Sequence, residues 1–540
     1  MSSGLTDAGP MPARVTWLLV GAITVAGLVV RAMPVGLSDF PVNDGGLFLA
    51  MTRAIQDAGW SLPATVSWNG SDLPFTSPPL AFYKVGLLHS VFGLDMYGIF
   101  RWFPLLTSAL IVPAVYLMAG AVLRSEIGGL VAALAYALTP SSYVWLIQGG
   151  GVTRSPGLLL AVLTLWQVVL LVRAPTSRRA VAVGVLAGLT ALIHPGAAVF
   201  AALSAVLIGT FEGRSGRSAL YGLAAGVIAL AIVAPWLGTV VSRHGLEALT
   251  DVPSNGPDLS FAILTVFSAR FTGLPFFDPL AVAGLAMAVL CVVQRRLLLP
   301  LWLLLANAMS LQYAMLPFGL LIGTAVLELV ARWRVHIAGG AAPLVRRVPA
   351  IGVVLLAAFL ALEGVMSGLA VFDPGMPVHA LSPERRAAMS WVATELEPEA
   401  RVALITGSFW TRDPDSEWFP LLAQRTSVAT VQGSEWLGAI AFNERFRAHH
   451  TLQVCVHEAS VSCVHDWLAE RPAEFLYLPT GHLHGPNSPP DCCTELRRRL
   501  VADPGFDVVY EGPGATILKV VLPPVAPGQG SWITVAPGPS

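Results

Sequence analysis

Long apolar stretches, separated by short polar loops, fill the first two-thirds of the chain. They cover roughly 15–32, 98–121, 127–147, 155–173, 180–193, 196–211, 218–241, 278–294, 297–312, 314–331 and 350–372. Many approach the ~20 apolar residues that a helix needs to cross a bilayer. The pattern therefore predicts a polytopic α-helical membrane domain, residues 1–372, with about 11 spans. The shorter run 80–94 is predicted to dip into the membrane, and the short runs flanking His194-Pro195 predict a broken or tilted pair.

Beyond residue 372 the pattern changes to short alternating and helical segments. Ser382-Pro383-Glu384 predicts a helix start, because a cap residue is followed by proline. Strands are predicted at 401–406, 427–431, 474–478, 508–511 and 515–520, and helices at 435–448, 463–471 and 491–502. This order predicts a small α/β domain over 373–521. The Pro/Gly-rich segment 522–540 predicts a disordered tail.

Composition and charge agree with a lipid-embedded part followed by a water-exposed part. Hydrophobic residues make up 55% of the chain and charged residues 12%, about half the charge of a soluble globular protein. The first 372 residues carry 34 charged side chains, whereas the last 168 carry 31. These values exclude a soluble enzyme, a fibrous protein and a disordered scaffold. Nucleic acid is excluded as a partner, because the C-terminal part has a net charge of −7 and no basic domain exists.

The basic residues of the short loops predict the orientation in the membrane. They fall in alternate loops, at Arg124; at Arg173, Arg178 and Arg179; at Arg214 and Arg217; at Arg295 and Arg296; and at Arg332, Arg334, Arg346 and Arg347. Because such loops stay in the cytoplasm, we expect a cytoplasmic N-terminus, a retained first span and an extracytoplasmic C-terminal domain. Of the 32 basic residues 30 are Arg, which is typical of a GC-rich bacterium and predicts the bacterial plasma membrane.

In this topology nearly all unusual polar groups of the membrane part lie on the outer side. They occur in the loop 34–79, in 148–155, at His194-Pro195, in 242–277 and at Gln312-Tyr313. A transporter would instead place polar groups near the bilayer midplane, often in two related halves. The chain has no internal repeat. The distribution therefore favours a site at the outer membrane surface.

Asp44, in the first outer loop, is the strongest candidate for chemistry. Asn43 or Asp44 is predicted to cap a helix that runs to about Ala58. Apolar residues recur along that helix at helical spacing, so it can lie flat on the membrane. There the Asp44 carboxylate can take a proton from a hydroxyl or hold a metal ion. The alternative is that Asp44 serves only as a cap.

Several motifs follow Asp44 and complete a recognisable order. They are Pro78-Pro79-Leu80-Ala81-Phe82 with Lys84 after it, Phe100-Arg101-Trp102-Phe103-Pro104, Gly149-Gly150-Gly151-Val152-Thr153-Arg154-Ser155, and Ile193-His194-Pro195. Over roughly residues 14–330 this order resembles the GT-C superfamily of polytopic glycosyltransferases, such as protein O-mannosyltransferases and aminoarabinose transferases. The last two motifs resemble an uncharacterised bacterial branch. Many members have Asp-Glu where this chain has Asp44-Gly45, so neither a second acid nor metal dependence carries over directly. No cofactor is predicted with certainty, and a divalent metal is the open alternative.

The resemblance implies transfer of a sugar from a polyprenyl-phosphate donor to an envelope glycan, lipid or protein acceptor. Asp44 matches the position of the family's catalytic acidic residue and is the predicted base. Lys84, Arg101 and Arg154 are the predicted phosphate clamps. His194 and Arg270 are weaker candidates for substrate binding.

Each of these binding residues also has a structural interpretation. Lys84 can extend to the lipid headgroups, and Arg101 can anchor the end of a span. Arg154 can belong to a flexible outer loop. His194, beside a proline, can shape the corner between two helices.

Four of the five cysteines lie in the C-terminal domain, at Cys455, Cys463, Cys492 and Cys493. Outside the cytoplasm such thiols form disulfides. The open pairings are Cys455 with Cys463, or each of them with one of the vicinal pair. Zinc binding by the two Cys-Val-His sequences is the alternative.

The sequence thus predicts a membrane glycosyltransferase whose membrane part is catalytic. The α/β domain would handle the acceptor or cover the site. Two alternatives remain open, a transporter or flippase of lipid-linked material and a non-catalytic membrane scaffold that displays the α/β domain.

Overall fold

A computed structural model describes residues 11–213, 215–250, 278–337, 348–369, 377–485 and 491–521. The chain forms two compact units. Unit 1 comprises Met1–Val66, Pro74–Ala380 and His484–Ser488, and unit 2 comprises Ser67–Leu73, Leu381–Leu483 and Pro489–Ser540. The domain boundary predicted after residue 372 and the tail predicted at 522–540 lie outside the described residues, so both stay predictions.

Unit 1 is helical. In chain order its helices are α1 (Ala13–Gly36), α2 (Gly46–Asp57), α3 (Leu80–Phe92), α4 (Met96–Leu123), α5 (Glu126–Leu138), α6 (Gly151–Arg173), α7 (Ser177–Ile193), α8 (Pro195–Glu212), α9 (Gly216–His244), α10 (Glu247–Thr250), α11 (Pro279–Val293), α12 (Leu298–Met309), α13 (Leu311–Ile337) and α14 (Val348–Gly368). Each predicted apolar run overlaps one of these helices, which confirms the helical membrane class. Six helices of the described chain are long and apolar enough to cross a membrane, so the predicted count of about 11 spans stays a prediction.

The span predicted at 127–147 is wrong in its second half. Helix α5 ends at Leu138, and Pro140–Ser142 forms a short 3-10 turn. Proline lacks the N–H that a helix needs and pushes the residue before it out of the helical region. The Ala137 carbonyl at the end of α5 instead accepts a hydrogen bond from the fully buried guanidinium of Arg31 in α1. The chain then runs as a loop to the start of α6.

Helix α6 lies at the centre of unit 1 and fixes the position of that loop. It packs against α4, α7 and α8. Leu158, Val162 and Leu165 on α6 are completely buried. Its N-terminal end is therefore a rigid point of the fold.

Unit 2 is an α/β fold, as predicted. Its strands are β3 (Arg401–Leu404), β4 (Thr426–Ser427), β5 (Phe475–Pro479), β6 (Phe506–Glu511) and β7 (Ala515–Val520), in the sheet order β4-β3-β5-β7-β6. Strand β3 is parallel to β4 and β5, whereas β7 is antiparallel to β5 and β6. Its helices are α15 (Pro383–Glu395), α16 (Pro414–Leu422), α17 (Ala439–Glu458), α18 (Val461–Glu470) and α19 (Thr494–Val501).

Residues 65–74 form a hairpin where the sequence pattern predicts only a loop. Its strands are β1 (Thr65–Trp68) and β2 (Ser71–Pro74), joined by Asn69 and Gly70 with φ of +49° and +71°. An Asn-Gly pair with positive φ is the favoured tight turn of a hairpin. Residues Ser67–Leu73 count with unit 2, where the Asn69 side chain makes two hydrogen bonds to the Ser427 backbone, of 2.7 and 2.9 Å.

The cysteines of unit 2 form disulfides, as predicted. Cys455 pairs with Cys463, one of the expected connectivities, and Cys492 pairs with its neighbour Cys493, which was not expected. Because all four thiols are joined, they cannot serve as zinc ligands. The bond between Cys455 and Cys463 links α17 to α18.

Candidate active site

The Asp44 side chain does not cap the helix that follows it. Helix α2 begins at Gly46, and its cap residue, Gly45, provides no side chain. The Oδ1 atom of Asp44 instead accepts a hydrogen bond of 2.7 Å from the N–H of Gly150, the cap residue of α6. The prediction that Asp44 caps its own helix is therefore wrong. The carboxylate lies at the N-terminal end of α6, where the helix dipole stabilises negative charge.

Arg154, in the first turn of α6, forms an ion pair with Asp44. Its Nη2 atom donates to Asp44 Oδ2. The Asp44 side chain is 22% exposed and that of Arg154 is 16% exposed, so the pair is partly accessible to solvent. The buried Nε of Arg154 has no hydrogen-bond partner among the described residues. The predicted base and one predicted phosphate clamp are thus in direct contact.

Two glycines permit this contact. A Cβ atom at Gly149 would overlap the Asp44 carbonyl oxygen, and one at Gly150 would overlap Arg154 Nη2 and lie 2.8 Å from Asp44 Oδ2. The Gly149 N–H also donates to the Val42 carbonyl, at 2.9 Å. The glycine run therefore lets the backbone at the start of α6 approach Asp44 closely, and it leads directly into a buried helix.

Asn43 and Gln148 hold the two segments beside Asp44. Asn43 Nδ2 donates to Gln148 Oε1 at 3.1 Å, and Gln148 Nε2 donates to the Pro377 carbonyl at 3.1 Å. Gln148 is completely buried. Asn43 has a φ of +54°, a left-handed backbone that asparagine tolerates better than most residues. Asn43 thus positions the loop rather than capping α2.

His194, between α7 and α8, lies beside Gly157 of α6, which is about one helical turn from Arg154. A Cβ atom at Gly157 would overlap the His194 Cβ. His194 caps α8, because its Nδ1 accepts a 3.0 Å hydrogen bond from the Ala197 N–H. This contact agrees with the interpretation that His194 shapes the corner. A Cβ atom at Gly196 would lie 3.1 Å from His194 Cε1 and 3.2 Å from the Tyr313 hydroxyl oxygen.

Tyr313, which lies near His194, is a residue to which the sequence analysis assigned no role. It is 4% exposed, and its ring stacks on Phe200 with centroids 4.6 Å apart. Its place among the outer polar groups was the only signal in the sequence. Its proximity to His194 depends on the packing of α8 against α13.

The remaining predicted residues make other contacts. Arg101 donates from Nε to the Val35 carbonyl at 3.0 Å and from Nη2 to the Gly36 carbonyl at 3.4 Å, so it anchors the end of α1. The half-buried Lys84 ammonium lies 4.5 Å from the Phe103 ring centroid. Arg270 lies outside the described residues. In the part of the chain that the structure covers, neither Arg101 nor Lys84 contacts Asp44.

The donor set around Asp44 does not fit a cation site. Its nearest partners are a guanidinium and a backbone N–H, and both carry positive charge density. Within the described ranges no group of three or more His, Cys, Asp or Glu side chains is placed to hold a metal ion.

Known proteins resemble this chain in part of its sequence and in its fold. Residues 76–238 match the family described as dolichyl-phosphate-mannose-protein mannosyltransferase. The fold is similar to that of the Archaeoglobus fulgidus oligosaccharyltransferase, with a TM-score of 0.58 and 11% identity over 86% of this chain and 69% of that one. It is also similar to the arabinofuranosyltransferase AftD from Mycobacteria, with a TM-score of 0.52 and 16% identity over 96% of this chain and 41% of that one.

No curated protein matches the chain significantly in sequence. The family match contains Lys84, Arg101, Arg154 and His194, which are four of the residues that carried the resemblance. The structural similarity extends over nearly the whole chain. Together these findings confirm the predicted resemblance to GT-C glycosyltransferases: part of the chain matches a mannosyltransferase family, and the fold is similar to that of an oligosaccharyltransferase and an arabinofuranosyltransferase. With its six long apolar helices, the described chain is that of a multi-pass membrane protein.

Proposed function

We propose that this protein transfers a sugar from a polyprenyl-phosphate donor to a hydroxyl group of an envelope acceptor outside the cytoplasm. The contact between Asp44 and Arg154 at the start of α6 is the observation that carries the proposal. It places a carboxylate that can accept a proton beside a guanidinium that can bind a phosphate. The matched family acts, by its description, with a lipid-phosphate sugar, which supports a donor of this class.

In the proposed reaction the bond between the anomeric carbon and the phosphate oxygen breaks. The acceptor oxygen forms the new bond to that carbon, and Asp44 takes the acceptor's proton. The lipid phosphate leaves with the bonding electron pair. Arg154 and the N-terminal end of α6 stabilise its negative charge.

Arg154 has to serve two anions in turn. Without donor it pairs with Asp44, so a bound phosphate competes with the carboxylate for the same guanidinium. That competition would release Oδ2 of Asp44 at the moment when the donor is in place, and the free oxygen could then accept a proton. Lys84 is the second proposed phosphate contact, because no carboxylate pairs with it among the described residues.

Membranes that contain the protein, a panel of polyprenyl-phosphate sugars and an envelope acceptor extract test this proposal. We expect transfer by the wild type. Arg154→Ala should raise the KM for the donor, and Arg154→Lys should recover part of the loss, since lysine keeps the charge but not the bidentate geometry. Arg53→Ala, an exposed arginine on α2, is the matched control. A wild type inert toward the whole panel would favour a transporter or flippase, or a scaffold.

A further inference from the structure

Aromatic side chains form a row along α17 in unit 2. Phe442, Phe446 and His450 recur every four residues, with successive ring centroids 6.2 Å apart and ring planes at 18° and 3°. Phe409 and Trp410, from the turn after β3, extend the row. Phe409 lies 6.3 Å from Phe446, and Trp410 lies 5.8 Å from Phe442.

Part of this row is open to solvent. Phe409 is 55% exposed, His450 is exposed and Phe446 is half-buried. A folded protein gains nothing from leaving a contiguous aromatic surface in water, and such surfaces commonly mark binding sites. The aromatic row therefore points to a ligand or a partner.

The row borders a groove between α17 and α18. Phe446 and His450 lie on the α17 side, Asp466 and Glu470 on the α18 side, and Trp467 is nearly buried between them. The groove has a volume of about 590 Å³, a size typical of small-molecule sites. Cys463, which also lines the groove, is bonded to Cys455, so a covalent link fixes the spacing of the two helices.

The charges of the groove select the class of ligand. Two arginines, Arg447 and Arg471, face three carboxylates, those of Glu458, Asp466 and Glu470. Nucleic acid, phosphate or an anionic membrane surface would need an excess of positive charge, which the groove does not have. Neighbouring donors and acceptors suit hydroxyl groups, each of which both donates and accepts. Aromatic faces suit the C–H faces of sugar rings.

We propose that this groove, which we name the aromatic groove and define by Phe446, Arg447, His450, Asp466, Glu470 and Arg471, binds a neutral glycan. Aromatic rings pack against the sugar rings, and the carboxylates and guanidinium groups bind the hydroxyls. This proposal depends on the proposed function in one respect only: we expect the bound glycan to be the acceptor of the transfer reaction. Binding itself requires no transfer.

Calorimetric titration of the full chain in lipid nanodiscs with neutral arabino- and manno-oligosaccharides tests the proposal. Phe446→Ala, His450→Ala and Asp466→Asn should each weaken binding about tenfold, the scale of losing one strong contact. Asp466 and His450 are exposed, so their variants keep the test valid if Phe446→Ala fails to fold. Trp391→Ala, which removes an aromatic packed on Tyr510 at 4.9 Å outside the groove, should bind like the wild type.

Measuring donor binding alongside glycan binding distinguishes a failure of the glycan-site proposal from a failure of the proposed function. Phe446→Ala should raise the KM for a glycan acceptor without changing donor binding, whereas Arg154→Ala should weaken donor binding and leave glycan titrations unchanged. A wild type that binds none of the oligosaccharides would overturn the aromatic groove as a glycan site. Normal oligosaccharide binding by all three variants would also overturn it. So would variants that keep oligosaccharide binding but lose binding to phosphatidylglycerol vesicles.

Discussion

A substitution at Gly150 can disrupt the contact between Asp44 and Arg154 without disrupting the fold. The Gly150 φ of −64° suits any L-amino acid, so alanine adds no backbone strain. The new Cβ would meet Arg154 Nη2, Asp44 Oδ2 and, at 3.0 Å, Phe48 Cε2, which are outer atoms of three side chains and not backbone. These atoms can move aside without a shift of α6. The ion pair would break while the helix stays in place.

Gly150→Ala should therefore reduce sugar transfer by roughly 10²-fold, the scale of a 1 Å misplacement in a catalytic site. Protein abundance and melting temperature should stay close to wild type. Gly209→Ala in α8 is the control, because nothing lies within 4 Å of its Cβ position. Steady-state transfer rates check the prediction, and an unchanged rate in Gly150→Ala would show that the contact is dispensable.

Local sequence signals were sufficient to select both partners of this pair. An acid after the first span and an arginine after a glycine run stand out along the chain. Their contact joins positions 110 residues apart, so only the packing of α6 reveals it. Arg101 shows the opposite case: its charge at a span start suited a phosphate clamp, yet the nearest acceptors in the fold are the last carbonyls of α1.

Helices and strands were predictable from the sequence where a single local feature determines where they begin or which type they are. Ser382 caps α15 as its sequence indicated, and apolar runs gave the helices of unit 1. Helix α16 was not predicted, although Asp413 caps it and Pro414 opens it, because three acidic and polar residues obscured its apolar face. The break after Leu138 was also missed, since the apolar run continues through Pro140 and hydropathy alone does not register the missing N–H.

The two disulfides should contribute unequally to the stability of unit 2. The Cys455–Cys463 bond joins residues eight apart, whereas Cys492–Cys493 joins neighbours. Chain entropy predicts about 2.5 kcal/mol for the first loop and far less for the second, which restricts the unfolded chain little. The double serine variant of Cys455 and Cys463 should lower the free energy of unfolding in urea by that amount. Equal losses from the two double variants would contradict this explanation.

The division of the chain into a membrane part and a C-terminal α/β unit was predictable from the uneven distribution of charged residues. Apolar runs and alternate basic loops were enough to predict a polytopic helical membrane protein with a C-terminal α/β unit, whereas the resemblance to the GT-C superfamily came from the motifs. The number of spans was not determined, because several helices of unit 1, such as α5 and α12, are shorter than a bilayer. A short helix can cross the membrane by tilting or by pairing with a neighbour, and sequence alone does not distinguish these arrangements.

Orientation can be tested with accessible tags. The basic loops predict that tags at Arg124 and Arg178 are shielded in intact cells, because loops rich in Arg and Lys stay in the cytoplasm. A C-terminal tag should be accessible to a reagent that cannot cross the membrane. Labelling before and after permeabilisation measures both. Accessibility at Arg178 would reverse the side assigned to Asp44, Arg154 and His194.

The most direct measurement is the transfer rate of Asp44→Asn. Asparagine keeps an Oδ1 atom that can accept the Gly150 N–H, which Asp44 now holds at 2.7 Å, so the start of α6 retains its partner. It lacks the charge that accepts a proton. With membranes matched for protein abundance, we expect transfer to fall by roughly 10²–10⁴-fold, while Asp72→Asn, which changes an exposed acid of β2, stays at the wild-type rate. Full activity of Asp44→Asn would contradict the assignment of Asp44 as the base.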